Sequence, residues 1–189
     1  MVRLALIVAA TSLLGELPDK TMLAAVVLGR RHHPLRVIGA AALGLGAQAL
    51  VAAEVASLAR RLFHASAVHT ASAIVLLVAA AAMAYLALRR RVDTEAVPSP
   101  ATPFYRLVGV FFLAELGDVT QATTAGFALS SGEPVLVALA ATLGMTAAIS
   151  AGATLGSTLQ RIPERALYAS AALVLTVLGV GQLVGLFAI

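Results

Sequence analysis

No cysteine occurs in this 189-residue chain, which excludes a disulfide framework, a thiolate metal site and a sulfur nucleophile, and leaves the redox compartment unsigned. Charge is scarce as well. Charged residues make up 12% of the chain and hydrophobic residues 60%, whereas a soluble domain carries about 25% charged residues. With a mean hydropathy of +0.97, the composition excludes an ordinary soluble domain and predicts an all-α integral membrane protein in a lipid bilayer. The formal net charge of +4 comes almost wholly from arginines flanking apolar runs, so it reads as a topology signal. A nucleic-acid partner is not expected, because that would need clustered basic and aromatic residues.

A spanning helix needs about 20 mostly apolar residues, and six segments qualify: 4–28, 36–59, 70–88, 107–129, 135–159 and 167–187. The first follows Arg3 but runs on past a charged heptapeptide with no convincing cleavage site, so it reads as a mature helix rather than a signal peptide. Loops are short except 89–106, which holds three prolines and several charges and reads as a linker. The expected organisation is a first three-helix repeat over 1–88, the linker over 89–106 and a second three-helix repeat over 107–189.

Orientation follows from basic residues in the loops. One side holds Arg30, Arg31, Arg36, Arg89, Arg90, Arg91, Arg106, Arg161 and Arg165, and the other only Arg3, Arg60 and Arg61. The richer side is expected to be cytoplasmic, which places both termini outside and the linker inside a plasma membrane. Three is odd, so the two halves enter from opposite faces, the inverted-repeat arrangement of secondary transporters.

Residues repeat as well as hydropathy. Glu16, Leu17, Asp19 and Thr21 match Glu115, Leu116, Asp118 and Thr120 at an offset of 99, and Pro34 and Leu43-Gly44 match Pro134 and Leu143-Gly144 at an offset of 100. The fifth segment sets Ala140, Gly144, Ala148, Gly152 and Gly156 at i+4 spacing, a stripe that lets helices approach closely in lipid. The second segment echoes it with Ala40, Gly44, Ala52 and Ala56, broken only by Gln48.

The stretches "GELPDKT" and "AELGDVTQ" place carboxylates near the centres of the first and fourth segments, where charge is costly unless paired, hydrated or neutralised. The Glu-x-x-Asp spacing predicts both carboxylates on one helix face. If the two helices cross at a pseudo-symmetry axis, Glu16, Asp19, Glu115 and Asp118 converge, with Thr21, Thr120 and Gln121 as neutral oxygen donors. Such hard oxygens suit Mn²⁺ or Ca²⁺, and suit Mg²⁺ less because it dehydrates reluctantly. Four clustered carboxylates cannot all stay ionised without a cation, so metal departure is expected to be matched by proton uptake. Lys20 would balance charge in the cage. Pro18 and Gly117 are helix weakeners at matched positions, where unwinding would free carbonyls.

The duplicated Glu-x-Gly-Asp-(Lys/Arg)-(Ser/Thr) pattern on the first and fourth of six helices resembles the Gdt-type Ca²⁺:H⁺ antiporter-2 family, in length, helix count and linker position as well as in motif. The resemblance implies an exporter of Mn²⁺ or Ca²⁺ working against protons, with Glu16, Asp19, Lys20 and Thr21 as one half-site and Glu115, Asp118, Thr120 and Gln121 as the other. Pro18 stands where that pattern has glycine, and Val119 where it has a basic residue, which leaves a more anionic cage.

Glu54 occupies the position equivalent to Thr154 in a polar stripe of Thr142, Thr146, Ser150 and Thr154. It reads either as part of a hydrated path for ions or protons or as an interfacial partner of Arg60 or Arg61. His32, His33, His64 and His69 fall in loops or at span ends and are expected to be solvated. No resident cofactor and no enzymatic activity is expected, the cation being substrate; a homo-oligomer is compatible with the sequence. The competing readings are a non-coupled cation channel, an intramembrane metal-dependent hydrolase and a non-transporting scaffold. Against the hydrolase, no H-E-x-x-H motif is present and the carboxylates carry repeat symmetry.

Overall fold

The computed structural model describes residues 1–17, 20–62, 65–88, 102–159 and 164–184. Among the described residues there are eight helices and no strand: α1 (Val2–Glu16), α2 (Lys20–Arg31), α3 (Pro34–Leu62), α4 (Ala65–Leu88), α5 (Phe104–Ala114), α6 (Val119–Ser131), α7 (Pro134–Leu159) and α8 (Glu164–Leu183). The protein is all-helical, as its apolar runs predict. Two helical stretches, Pro34–Leu62 and Pro134–Thr154, are long and apolar enough to cross a membrane on their own.

The fourth expected segment is not one continuous helix, and this corrects the reading of Glu115 and Asp118 as one helical face; in the first segment residues 18–19, and Asp19 with them, lie outside the described residues. Glu115 is the C-cap of α5 while Asp118 is the N-cap of α6. Between them the chain turns through Gly117 at φ +78°, a left-handed conformation that glycine adopts without a Cβ clash. Asp118 then lies in extended geometry at φ −81° and ψ 166°, which opens a new helix instead of prolonging the old one. In the first half α1 ends after Leu17 N–H bonds the Leu13 carbonyl at 3.0 Å; the next residue, Pro18, has no N–H with which to extend the ladder. The segments α1, α2, α5 and α6 run to 15, 12, 11 and 13 residues, each short of the roughly 20 needed to span alone.

The repeat in the residues becomes a repeat in structure. Pro34 and Pro134 each open a long helix, at the first position, where a missing N–H costs nothing. Leu43 and Leu143 point outward, 58% and 70% exposed, while the glycines that follow them are buried. A Cβ on Gly44 would lie 2.5 Å from the Val108 carbonyl oxygen of α5, and one on Gly144 would overlap the Ala9 carbonyl oxygen of α1. Val108 and Ala9 are themselves 99 positions apart. Small residues therefore bring helix backbones together while bulky apolar ones face away, the packing logic of helices in lipid.

These contacts interleave the halves. Helices α1 and α2 pack on α7, α5 and α6 pack on α3, α3 packs on α7 and α4 on α8. Each broken helix pair thus rests on the long helix of the other half, and the glutamates that end α1 and follow α5 are both buried.

Candidate functional site

Glu16 closes α1 and Glu115 follows the last residue of α5; both are fully buried, at 0% exposure. A helix C-terminus carries partial negative charge from its unbonded carbonyls. Each of these two buried carboxylates stands at a helix end of the polarity that favours a cation.

Thr21, in the first turn of α2, reaches back across the break and its hydroxyl donates to Glu16 Oε1. Thr120, its counterpart in α6, is equally buried, and its Oγ1 has no hydrogen-bond partner among the described residues. That oxygen lies 3.5 Å from the point a Cβ would occupy on Gly15, the residue before Glu16. The end of α1 and the start of α6 are therefore in contact, which brings together parts of both motifs. The Thr120 carbonyl accepts hydrogen bonds from Thr123 Oγ1 at 2.9 Å and Thr124 Oγ1 at 2.8 Å, both local contacts of the kind these residues make in helices.

Asp118 is half-buried at the start of α6. With Gln121 it lines a cavity of about 380 Å³, walled also by Val51, Val55 and Ala59 of α3. Gln121 Oε1 accepts the Gly117 N–H at 2.6 Å, so in this conformation the side chain pins the turn that presents Asp118. Asp19 lies outside the described residues, and of Lys20 only the backbone, at the start of α2, is described. Among the described residues no three carboxylates or imidazoles come within reach of one metal ion.

The remaining polar candidates have local roles. Glu54 is exposed, does not line the cavity, and forms no ion pair with Arg60 among the described residues. Arg60 instead donates to the Leu129 and Ser130 carbonyls at 3.2 and 2.7 Å, closing the C-terminal end of α6. Thr142, Ser150 and Thr154 each bond the carbonyl four residues back, at 2.6 to 2.7 Å. His32 is buried, contrary to the expectation for a loop histidine, and its Nε2 has no partner among the described residues; His33 is exposed. Gly15, Gln48 and the cavity escaped sequence reading: Gly15 carries no signal in one chain, and Gln48 signalled itself only by interrupting a small-residue stripe.

No curated protein and no solved structure matches the chain. A family model described as divalent cation/proton antiporter GDT1 matches residues 4–91 and 103–188, which takes in both carboxylate motifs and every helix they touch. The two matched stretches cover nearly the whole chain, and the chain belongs to the GDT1 family of divalent cation/proton antiporters, transporters rather than enzymes.

Proposed function

We propose that the protein exports Mn²⁺, or Ca²⁺, in exchange for protons through a site at the bilayer midplane formed by Glu16, Asp19, Glu115 and Asp118. The observation that carries this reading is the burial of Glu16 and Glu115 at matched helix ends, with Gly15 of one motif against Thr120 of the other. In this reading Thr21 and Thr120 supply neutral oxygens, Gln121 holds the Gly117 turn in place or joins the cage, and Lys20 balances charge when the cation is absent. The chain crosses a plasma membrane six times, α1 with α2 and α5 with α6 each serving as one interrupted span. The repeats 1–88 and 107–189 are inverted about the linker 89–106, which is cytoplasmic with both termini outside.

Interrupted helices suit such a task, since a break at the midplane exposes carbonyls and carboxylates to an ion without exposing them to lipid. Cation and protons compete for the same oxygens, so release of one accompanies uptake of the other. In this reading the cavity lined by Asp118 and Gln121 is the route by which the second half-site meets one side of the membrane.

The test is metal-stimulated proton movement in proteoliposomes under an imposed pH gradient, with Mn²⁺, Ca²⁺ and Mg²⁺ compared for the native chain and for Glu115→Gln. Proton release driven by Mn²⁺ or Ca²⁺ and lost in E115Q is expected. Cation flux without proton movement would instead indicate a channel, and no response to any of the three would overturn the reading.

A further inference from the structure

The small-residue stripe of α3 carries one large polar side chain, Gln48, which is 1% exposed and whose Nε2 has no hydrogen-bond partner among the described residues. A buried amide N–H left without a partner is costly, and the matching position on α7 is Ala148, also buried. Helix packing therefore does not require an amide here, because the other half closes the equivalent crossing with a methyl group.

Where Gln48 lies follows from its neighbours on the stripe. One turn before it, Gly44 abuts Val108, Phe111 and Phe112 of α5. One turn after it, Ala52 lines the cavity with Gly117, Asp118 and Gln121. At about 6 Å from each along the helix axis, Gln48 is level with the α5/α6 break, between Phe112 and Gly117, where Glu115 sits. The other half shows the same register: Gly144 abuts Ala9 and Leu13, Gly152 abuts Met22, and Ala148 lies between them, level with Glu16.

We infer that Gln48 is a specificity-determining residue of the second half-site, presenting its amide oxygen to the divalent cation beside Glu115. This rests on the proposed transport site. The oxygen and nitrogen of an amide exchange places by rotation of the last side-chain torsion, so the position now held by Nε2 is open to Oε1 when a cation arrives. An amide oxygen is a hard, neutral ligand suited to Mn²⁺ and Ca²⁺. It adds a ligand without adding charge, in the half where Val119 has removed a basic residue from an already anionic cage. The two half-sites are then chemically unequal, with Lys20 in the first and the Gln48 amide in the second.

The experiment is Mn²⁺ and Ca²⁺ transport by the full chain in proteoliposomes, comparing wild type, Gln48→Ala, Gln48→Leu and Glu115→Gln, each verified as folded by size-exclusion chromatography. Q48A installs the residue the other half already uses, and Q48L keeps the volume and carries the test if Q48A does not fold. Both are expected to raise the KM for Mn²⁺ about tenfold or more, to change the ratio of the Mn²⁺ and Ca²⁺ KM values, and to leave kcat much less affected. A merely structural role would lower kcat or the yield of folded protein with both KM values intact, and that result overturns the inference. Wild-type transport with unaltered KM values in Q48A and Q48L refutes the role of Gln48 alone, whereas a wild type that moves neither ion refutes the site and this inference together.

Discussion

Thr120 Oγ1 stands 3.5 Å from the point where a Cβ on Gly15 would lie, which joins the end of α1 to the start of α6. One residue belongs to the first carboxylate motif and the other to the second, so the contact links the two motifs. Met83 Cε lies 3.7 Å from the same point. Gly15→Ala therefore fits at ordinary contact distance and is expected to transport as wild type does. Gly15→Leu forces Thr120 and Glu16 apart and is expected to raise the KM for Mn²⁺ about tenfold or more, since oxygens around a cation tolerate little displacement; equal KM values for the two variants would refute the link.

The hydrogen bond from Thr21 to Glu16 links the first turn of α2 to the end of α1 and orients a carboxylate of the proposed site. Thr21→Val keeps the shape and removes the donor. Hydrogen bonds that orient a metal-binding carboxylate are worth about tenfold or more in cation affinity, and a weakening of that order is expected. Thr21→Ser restores the hydroxyl and is expected to recover most of it. Binding titrations of Mn²⁺ to the purified chain distinguish the pair, and a Val variant that binds like the Ser variant would remove Thr21 from the site.

Gly117 has open space around it, with nothing within 4 Å of where a Cβ would stand, yet its φ is +78°. Any effect of Gly117→Ala is therefore conformational and not a clash. Holding alanine in the left-handed region costs about 1–2 kcal/mol, and the chain can relieve this only by giving up the turn that sets Asp118 and receives Gln121. The expected result is a lower Tm together with reduced transport, and Gly117→Asn, which accepts positive φ better, is expected to lie between alanine and wild type. Transport equal in all three would show that the turn does not hold Asp118 in place for function.

Gly144 and Gly44 make matching crossings onto α1 and α5. Gly144→Val pushes α7 off the Ala9 carbonyl, and overpacking of this kind costs about 1–3 kcal/mol. Leu143→Val, at a neighbouring but 70% exposed position, is expected to be nearly neutral. Thermal unfolding of the detergent-solubilised chain measures both, and an equal Tm for the two would contradict the close crossing.

Much of this was legible in the residues because the signals are local. Sustained hydropathy predicts helices in lipid, and the helix boundaries near Pro34 and Pro134 follow from what proline lacks. The motif pair predicts buried carboxylates, and Glu16 and Glu115 are both fully buried. The i, i+3 spacing misleads at Glu115 and Asp118, because it presumes an unbroken helix and Gly117 turns the chain. Pro18 and Gly117 are visible as weakeners, but a helix can also absorb such residues when its neighbours satisfy the freed groups, so their presence did not decide the outcome.

The sequence by itself determined the class of the protein, the duplication, and which residue types each half contributes, since composition, periodicity and offset are properties of the chain alone. Only the tertiary structure decided that α1 and α2 rest on α7 while α5 and α6 rest on α3, that Gly15 meets Thr120, and that Gln48 is buried. Those relationships depend on where small residues let two backbones approach. A glycine in the sequence records that close approach is allowed, and the partner it approaches is settled only when the whole bundle packs.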